Sequence, residues 1–206
     1  MRFSALFAAL VTGALLVLGA AAADAKSPAE QAGTYIEGVG NEALKIISNK
    51  ALSKDKKQAD LEALFHQNVD FNWVGKFVMG RFWRQATPAQ QKRYLSAYRD
   101  FLTRGYTARF AEYTSGTFKV TSTKETDKGE FVVGMEIISD NKGEPPIVID
   151  YKIRKQSGGF KVFDIIVEGV SLITTQRSEF GSVLNKNGVD GLIEMLEKRS
   201  TELASR

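Results

Sequence analysis

The sequence predicts an α+β fold in which a four-stranded antiparallel meander sheet is covered by N-terminal and C-terminal helices. Three observations carry this. Apolar residues recur at helical spacing up to about residue 113, the pattern changes to alternation after Gly116, and helical spacing returns beyond Leu172. The alternating segments are joined by short turns rich in Gly, Asp and Asn, so they connect as hairpins, and successive hairpins make a meander.

Residues 1–25 read as an export signal outside the fold. Arg2 supplies the positive start, residues 6–19 the apolar core, and Ala23-Asp24-Ala25 a small-x-small cleavage pattern that leaves Lys26 as the first mature residue. The apolar run is short for a spanning helix. The expectation is therefore a cleaved signal followed by a single domain over 26–206, exported most simply to a periplasm. The sequence has no cysteine, so stability in an oxidising compartment must come from packing. The formal charge of +4 favours anionic surfaces without predicting nucleic-acid binding. With His66 as the one histidine, a metal site or triad built on imidazole is hard to assemble.

A first amphipathic helix spans 28–52, with Tyr35, Ile36, Val39, Ala43, Ile46 and Ile47 on its apolar face. Inside it, Gly38 to Ala43 matches G-x-G-x-x-A, but no strand precedes the match, so it is not read as a dinucleotide site. A second helix covers 55–68 with Leu61, Leu64 and Phe65 on one side, and Lys54, Lys56 and Lys57 near its start read as a solvated face. Asp70 caps a short third helix whose stripe, Phe71, Val74, Phe77 and Val78, ends at Gly80.

The junction Gly80 to Gln91 closes that helix and opens the longest one. Thr87 is an N-cap, Pro88 suits the first helical position, and Gln90 completes a capping box. The helix that follows, 88–113, turns Leu95, Tyr98, Phe101, Leu102, Tyr106, Phe110 and Tyr113 to one side. Strands follow at 117–123, 130–138, 147–155 and 160–167. Met135 and Ile137, then Ile149, Tyr151 and Ile153, then Phe163, Ile165 and Val167 share one apolar face. Gly169 marks a sharp redirection, and two helices close the chain, one through Phe180, Val183 and Leu184 and one over 189–203.

Asp164 and Glu168, four apart on the last strand, point to one face and could act as acid and base, with Arg81 or Arg84 holding an anion. The alternative is salt bridging to those arginines, to Lys152 or to Arg154. The concave side of the sheet either fills solid or leaves a cavity, and periodicity does not distinguish the two.

Two separated groups of residues carry a resemblance. The first is Asp70-Phe71, Gly80-Arg81, Trp83-Arg84, Ala86-Thr87-Pro88 and Gln91. The second is Tyr151, Lys155, Gly159, Lys161-Val162, Asp164-Ile165, Glu168 through Leu172, Arg177 and Phe180. Together they resemble the MlaC family of periplasmic phospholipid-binding proteins, also called toluene-tolerance auxiliary proteins, with a hopanoid-associated branch, HpnM. Phe160 and Gln176 depart from the family pattern, where Trp and Tyr are usual.

The resemblance implies a non-enzymatic, monomeric carrier moving phospholipid between an outer-membrane lipoprotein complex and an inner-membrane ABC transporter. Phospholipid is then cargo and no other cofactor is implied. It also implies a cavity between sheet and helices. The expected lining is Val78 and Trp83 at the junction, Tyr98, Phe101, Leu102 and Tyr106 on the long helix, and the eight inward strand residues from Met135 to Val167 named above. Arg81 or Arg84 is expected to pair with Asp164 or Glu168 to hold the two motifs together.

Overall fold

The computed structural model describes residues 26–112, 116–140 and 143–204. The expected signal, Tyr113 at the end of the long helix, and Asn141 and Lys142 in a hairpin lie outside them.

Side-chain caps set where the N-terminal helices begin. Ser27 and Glu30 form a reciprocal capping box ahead of α1 (Pro28–Ser48), with the Glu30 carboxylate accepting from the Ser27 N–H at 2.7 Å. That carboxylate is held below its usual pKa by those bonds. Ser53 caps α2 (Lys54–Asn68) and Asp70 caps α3 (Phe71–Met79). A 3-10 turn, Gly80–Arg84, leads to α4 (Pro88–Glu112), where Thr87 and Gln90 exchange the expected capping-box bonds at 3.0 and 3.2 Å. The junction is as its sequence reads.

The sheet has five strands in the order β1-β2-β3-β4-β5: Thr117–Asp127, Glu130–Ile138, Ile147–Gln156, Gly159–Val167 and Val170–Ser171, all antiparallel. The short fifth strand corrects the expected four. It forms because Glu168 (φ 49°) and Gly169 (φ 80°) both take positive φ in a two-residue turn that pairs Val167 with Val170. The final helix, α5 (Leu172–Ala204), is broken at Gly188, whose φ of 70° and ψ of −170° separate the two helical runs that the sequence predicts.

A bulge in β4 decides how the halves of the molecule share this strand. Lys152 pairs with Asp164 but Ile153 pairs with Val162, so Phe163 is the extra residue. Val162 and Ile165 therefore face the core formed by α1 and the sheet, with Ile36, Phe131, Val133 and Ile153. Phe163 joins a separate core of α3, α4 and α5, edge-on to Trp73 at 5.1 Å. The expected single face of Phe163, Ile165 and Val167 is thus split by one inserted residue.

Two glycines let α1 lie close on β1. A Cβ on Gly33 would stand 2.8 Å from the Thr123 hydroxyl, and one on Gly40 would stand 2.6 Å from the Phe118 ring. The glycine-rich match in α1 is a helix–strand contact.

Candidate functional site

Between α1, α2 and the concave face of the sheet lies a cavity of about 340 Å³. Ile36, Val39, Gly40, Ala43, Leu44 and Ile47 form the α1 wall, and Leu61, Leu64 and Phe65, with Val69 just past the helix end, the α2 wall. The sheet contributes Phe118, Met135, Ile137, Tyr151, Val162 and Ile165. The gap has a local cause. Gly40 draws α1 onto β1, while α2 is drawn toward α4 by the His66–Thr103 hydrogen bond (2.8 Å) and the Phe65–Tyr106 ring contact (5.9 Å). Neither helix fills the space over the middle of the sheet.

Polar side chains on this wall are mostly satisfied from within. Asn68 accepts from the Tyr35 hydroxyl and donates to the Leu64 carbonyl, both at 2.6 Å, and Thr107 donates to the Thr103 carbonyl. Burial pushes the Tyr35 and Tyr151 phenols up to about 12. The Tyr151 hydroxyl has no hydrogen-bond partner among the described residues, which leaves a donor on the sheet side of a mostly apolar wall.

Of the expected lining, Met135, Ile137, Tyr151 and Ile165 border the cavity. Tyr98, Leu102, Tyr106 and Phe163 border a smaller void of about 40 Å³ behind it. Val78, Trp83, Phe101, Ile149, Ile153 and Val167 border neither. The long helix was expected to contribute Tyr98, Phe101, Leu102 and Tyr106 to the lining, and Thr107 is its one described side chain at the main cavity. Beyond the edge that borders the small void, its aromatic face is filled: Tyr94 stacks on Tyr98 at 5.6 Å, and Tyr98 meets Phe180 edge-on at 6.2 Å. Trp83 lies against Tyr94 with Lys76 over its ring, within the helical core and away from the sheet. The α1 wall was the part that sequence reasoning passed over. Its signal was present as apolar or small residues at 36, 39, 40, 43, 44 and 47, a stripe without bulky rings.

The expected ion pairs are also corrected. Arg81 donates to Asn185 at 2.9 Å and lies over Phe82, and Arg84 is exposed. Asp164 accepts from the Ser171 hydroxyl (2.8 Å) and the Ile173 N–H (3.4 Å), with Lys152 at 3.9 Å, fastening the start of α5 to β4. Glu168 accepts from the Val148 N–H at 2.8 Å, completing the end of β3. The two carboxylates hold different backbone segments and share no pocket as an acid–base pair would. The two sequence motifs meet directly where the Asp70 N–H donates to the Val162 carbonyl at 2.9 Å, and Arg177 adds a second tie by donating to the Phe77 carbonyl at 2.9 Å and covering the Phe77 ring. Gly80 makes room for it, because a Cβ there would stand 3.2 Å from the guanidinium.

The family model described as MlaC protein matches residues 37–198, which takes in the cavity walls and the helical core. The chain belongs to the MlaC family. It is 26% identical over 137 residues to the intermembrane phospholipid transport system binding protein MlaC of Haemophilus influenzae, covering 65% of this chain and 64% of that protein. The chain thus aligns with just under two thirds of that relative. It is 27% identical over 162 residues to toluene tolerance protein ttg2D of Pseudomonas putida, covering 77% of this chain and 73% of the relative. A phospholipid-binding protein from Ralstonia solanacearum, solved in complex with a phospholipid, superposes with a TM-score of 0.72 at 29% identity, over 84% of this chain and 98% of that one. This MlaC-family chain therefore shares its fold with a protein seen holding phospholipid. Among the described residues no helix is long and apolar enough to cross a membrane.

Proposed function

We propose that this MlaC-family chain is a periplasmic phospholipid carrier that holds acyl chain in the space between α1, α2 and the sheet. The observation that carries the reading is the apolar cavity itself, whose 340 Å³ falls at the lower end of the range of about 300–1,000 Å³ for ligand sites. Each methylene removed from water is worth roughly 0.8 kcal/mol, so a long acyl chain left in water costs on the order of 10 kcal/mol. A carrier must match the bilayer interior, and aliphatic walls do so. Because the bilayer is equally apolar, transfer between membrane and cavity is close to balanced and runs in the direction the partners impose. Those partners, on this reading, are an inner-membrane ABC transporter and an outer-membrane lipoprotein complex.

The Tyr151 hydroxyl supplies a polar contact on the sheet side of the wall, and an ester carbonyl is a suitable acceptor. No catalytic step is needed, and Asp164 and Glu168 are occupied in holding the fold. Protein purified from the periplasm and analysed by native mass spectrometry is expected to carry phospholipid. Repeated recovery of empty protein would overturn the reading.

A further inference from the structure

The void of about 40 Å³ lies directly behind the main cavity and shares four lining residues with it: Phe65, Val69, Val162 and Ile165. We propose, building on the carrier reading, that this void is a subsite for the end of an acyl chain, opened when the Phe65 ring swings out of the shared wall. Phe65 is then the residue that sets how long a chain the protein accepts.

The four wall residues differ in freedom. Val69 and Val162 are bridged through their backbones, with the Asp70 N–H donating to the Val162 carbonyl at 2.9 Å, and both are β-branched with restricted χ1. Ile165 is β-branched and fixed in register opposite Tyr151. Phe65 is half-buried, unbranched at Cβ, and held by ring contacts to Phe71 and Tyr106 at 5.5 and 5.9 Å. It is the divider that can move without breaking a backbone pairing.

The chemistry of the void suits hydrocarbon. Leu102, Ile173, Leu172 and Val74 face it, and two of its polar side chains are already hydrogen-bonded: Tyr98 donates to Gln176, also on the wall, at 2.6 Å, and Asp164 accepts from Ser171 and Ile173. By itself the void holds only a few waters, at roughly 10–15 Å³ each. Joined to the main cavity and to the volume the ring vacates, it extends the apolar path from the α1 wall into the helical core.

The test uses phosphatidylglycerol with a photoreactive diazirine at the end of one long chain, loaded into the purified full protein and mapped by peptide mass spectrometry. The wild type is expected to be labelled at Leu102 and Ile173. Phe65→Trp should confine the label to main-cavity residues such as Ala43 and Ile137, and lower uptake of long-chain relative to short-chain phosphatidylglycerol. Phe65→Ala should raise that ratio, and Phe65→Leu serves in its place should the alanine variant fail to fold. Labelling confined to the main cavity in the wild type, or an unchanged chain-length ratio in the variants, would overturn the subsite while leaving the carrier reading standing. A wild type that takes up no lipid overturns both.

Discussion

The two halves of this molecule bury apolar surface to opposite ends. In the helical half, Tyr94, Tyr98, Phe180, Leu192, Ile193 and Leu196 are essentially inaccessible and interlock ring on ring. In the sheet half, a wall of comparable apolarity encloses the main cavity because α1 leans on β1 and α2 leans on α4. Apolar composition alone does not decide between filling and hollowness. Helix placement does, and here it is set by Gly33 and Gly40 on one side and by the His66 and Phe65 contacts on the other.

The largest expected contrast is in stability. Phe180→Ala removes a ring that is 1% exposed and should cost about 3–5 kcal/mol, read as a lowered denaturation midpoint. In lipid-free protein, Leu44→Ala on the half-buried cavity wall should cost about 1 kcal/mol or less, because its side chain already faces empty space. Equal losses at the two positions would break the contrast.

Loading should show the reverse order. Leu44→Asp is expected to abolish lipid uptake while circular dichroism still reports a folded protein, since the charge would have to be desolvated against acyl chain but can reach water in the empty state. Unchanged loading would put the cargo elsewhere.

Alkaline titration sharpens the comparison further. Burial raises the phenols of Tyr94 and Tyr98 in the solid half, and those of Tyr35 and Tyr151 in the hollow half to about 12. An acid whose folded pKa lies above its unfolded value of about 10 binds more protons in the native state across that interval, so stability falls as pH rises past about 10. Denaturation at pH 9 and pH 11 should show the fall, and Tyr94→Phe should flatten it. A stability independent of pH over that interval would mean the phenols are solvated. A comparably small effect is expected at the cap of α4, where Thr87→Ala should cost about 1 kcal/mol without altering lipid content.

Local rules made most of the fold legible. Caps at Asp70 and Thr87, the change of period after Gly116 and the hairpin turns placed helices and strands within a few residues. What escaped was non-local. The Phe163 bulge reversed the side on which an aromatic ring points, and nothing in strict alternation announces an inserted residue. Strand β5 depended on a positive φ at Glu168, a residue type that seldom adopts it. For the site, the sheet residues Met135, Ile137, Tyr151 and Ile165 were readable from alternation. The aromatic side of α4 borders the small void through Tyr98 and Tyr106 and otherwise packs into the helical core; bulky rings mark a surface that is buried without saying whether it is filled. The smaller side chains of α1 were the better sign of open space. The two family motifs do meet, through the Asp70 N–H and Val162 carbonyl and again through Arg177 and the Phe77 carbonyl, contacts that charge complementarity alone did not find.

On the carrier reading, cargo occupies the space between α1 and the sheet. Ala43→Trp places a large ring in that space, so the direct measurement is bound phospholipid per chain, by native mass spectrometry, in the wild type and this variant purified side by side. Lipid is expected on the wild type, and the variant is expected to be folded but empty, with a lipid-free midpoint no lower. Equal lipid content in the two proteins would contradict it.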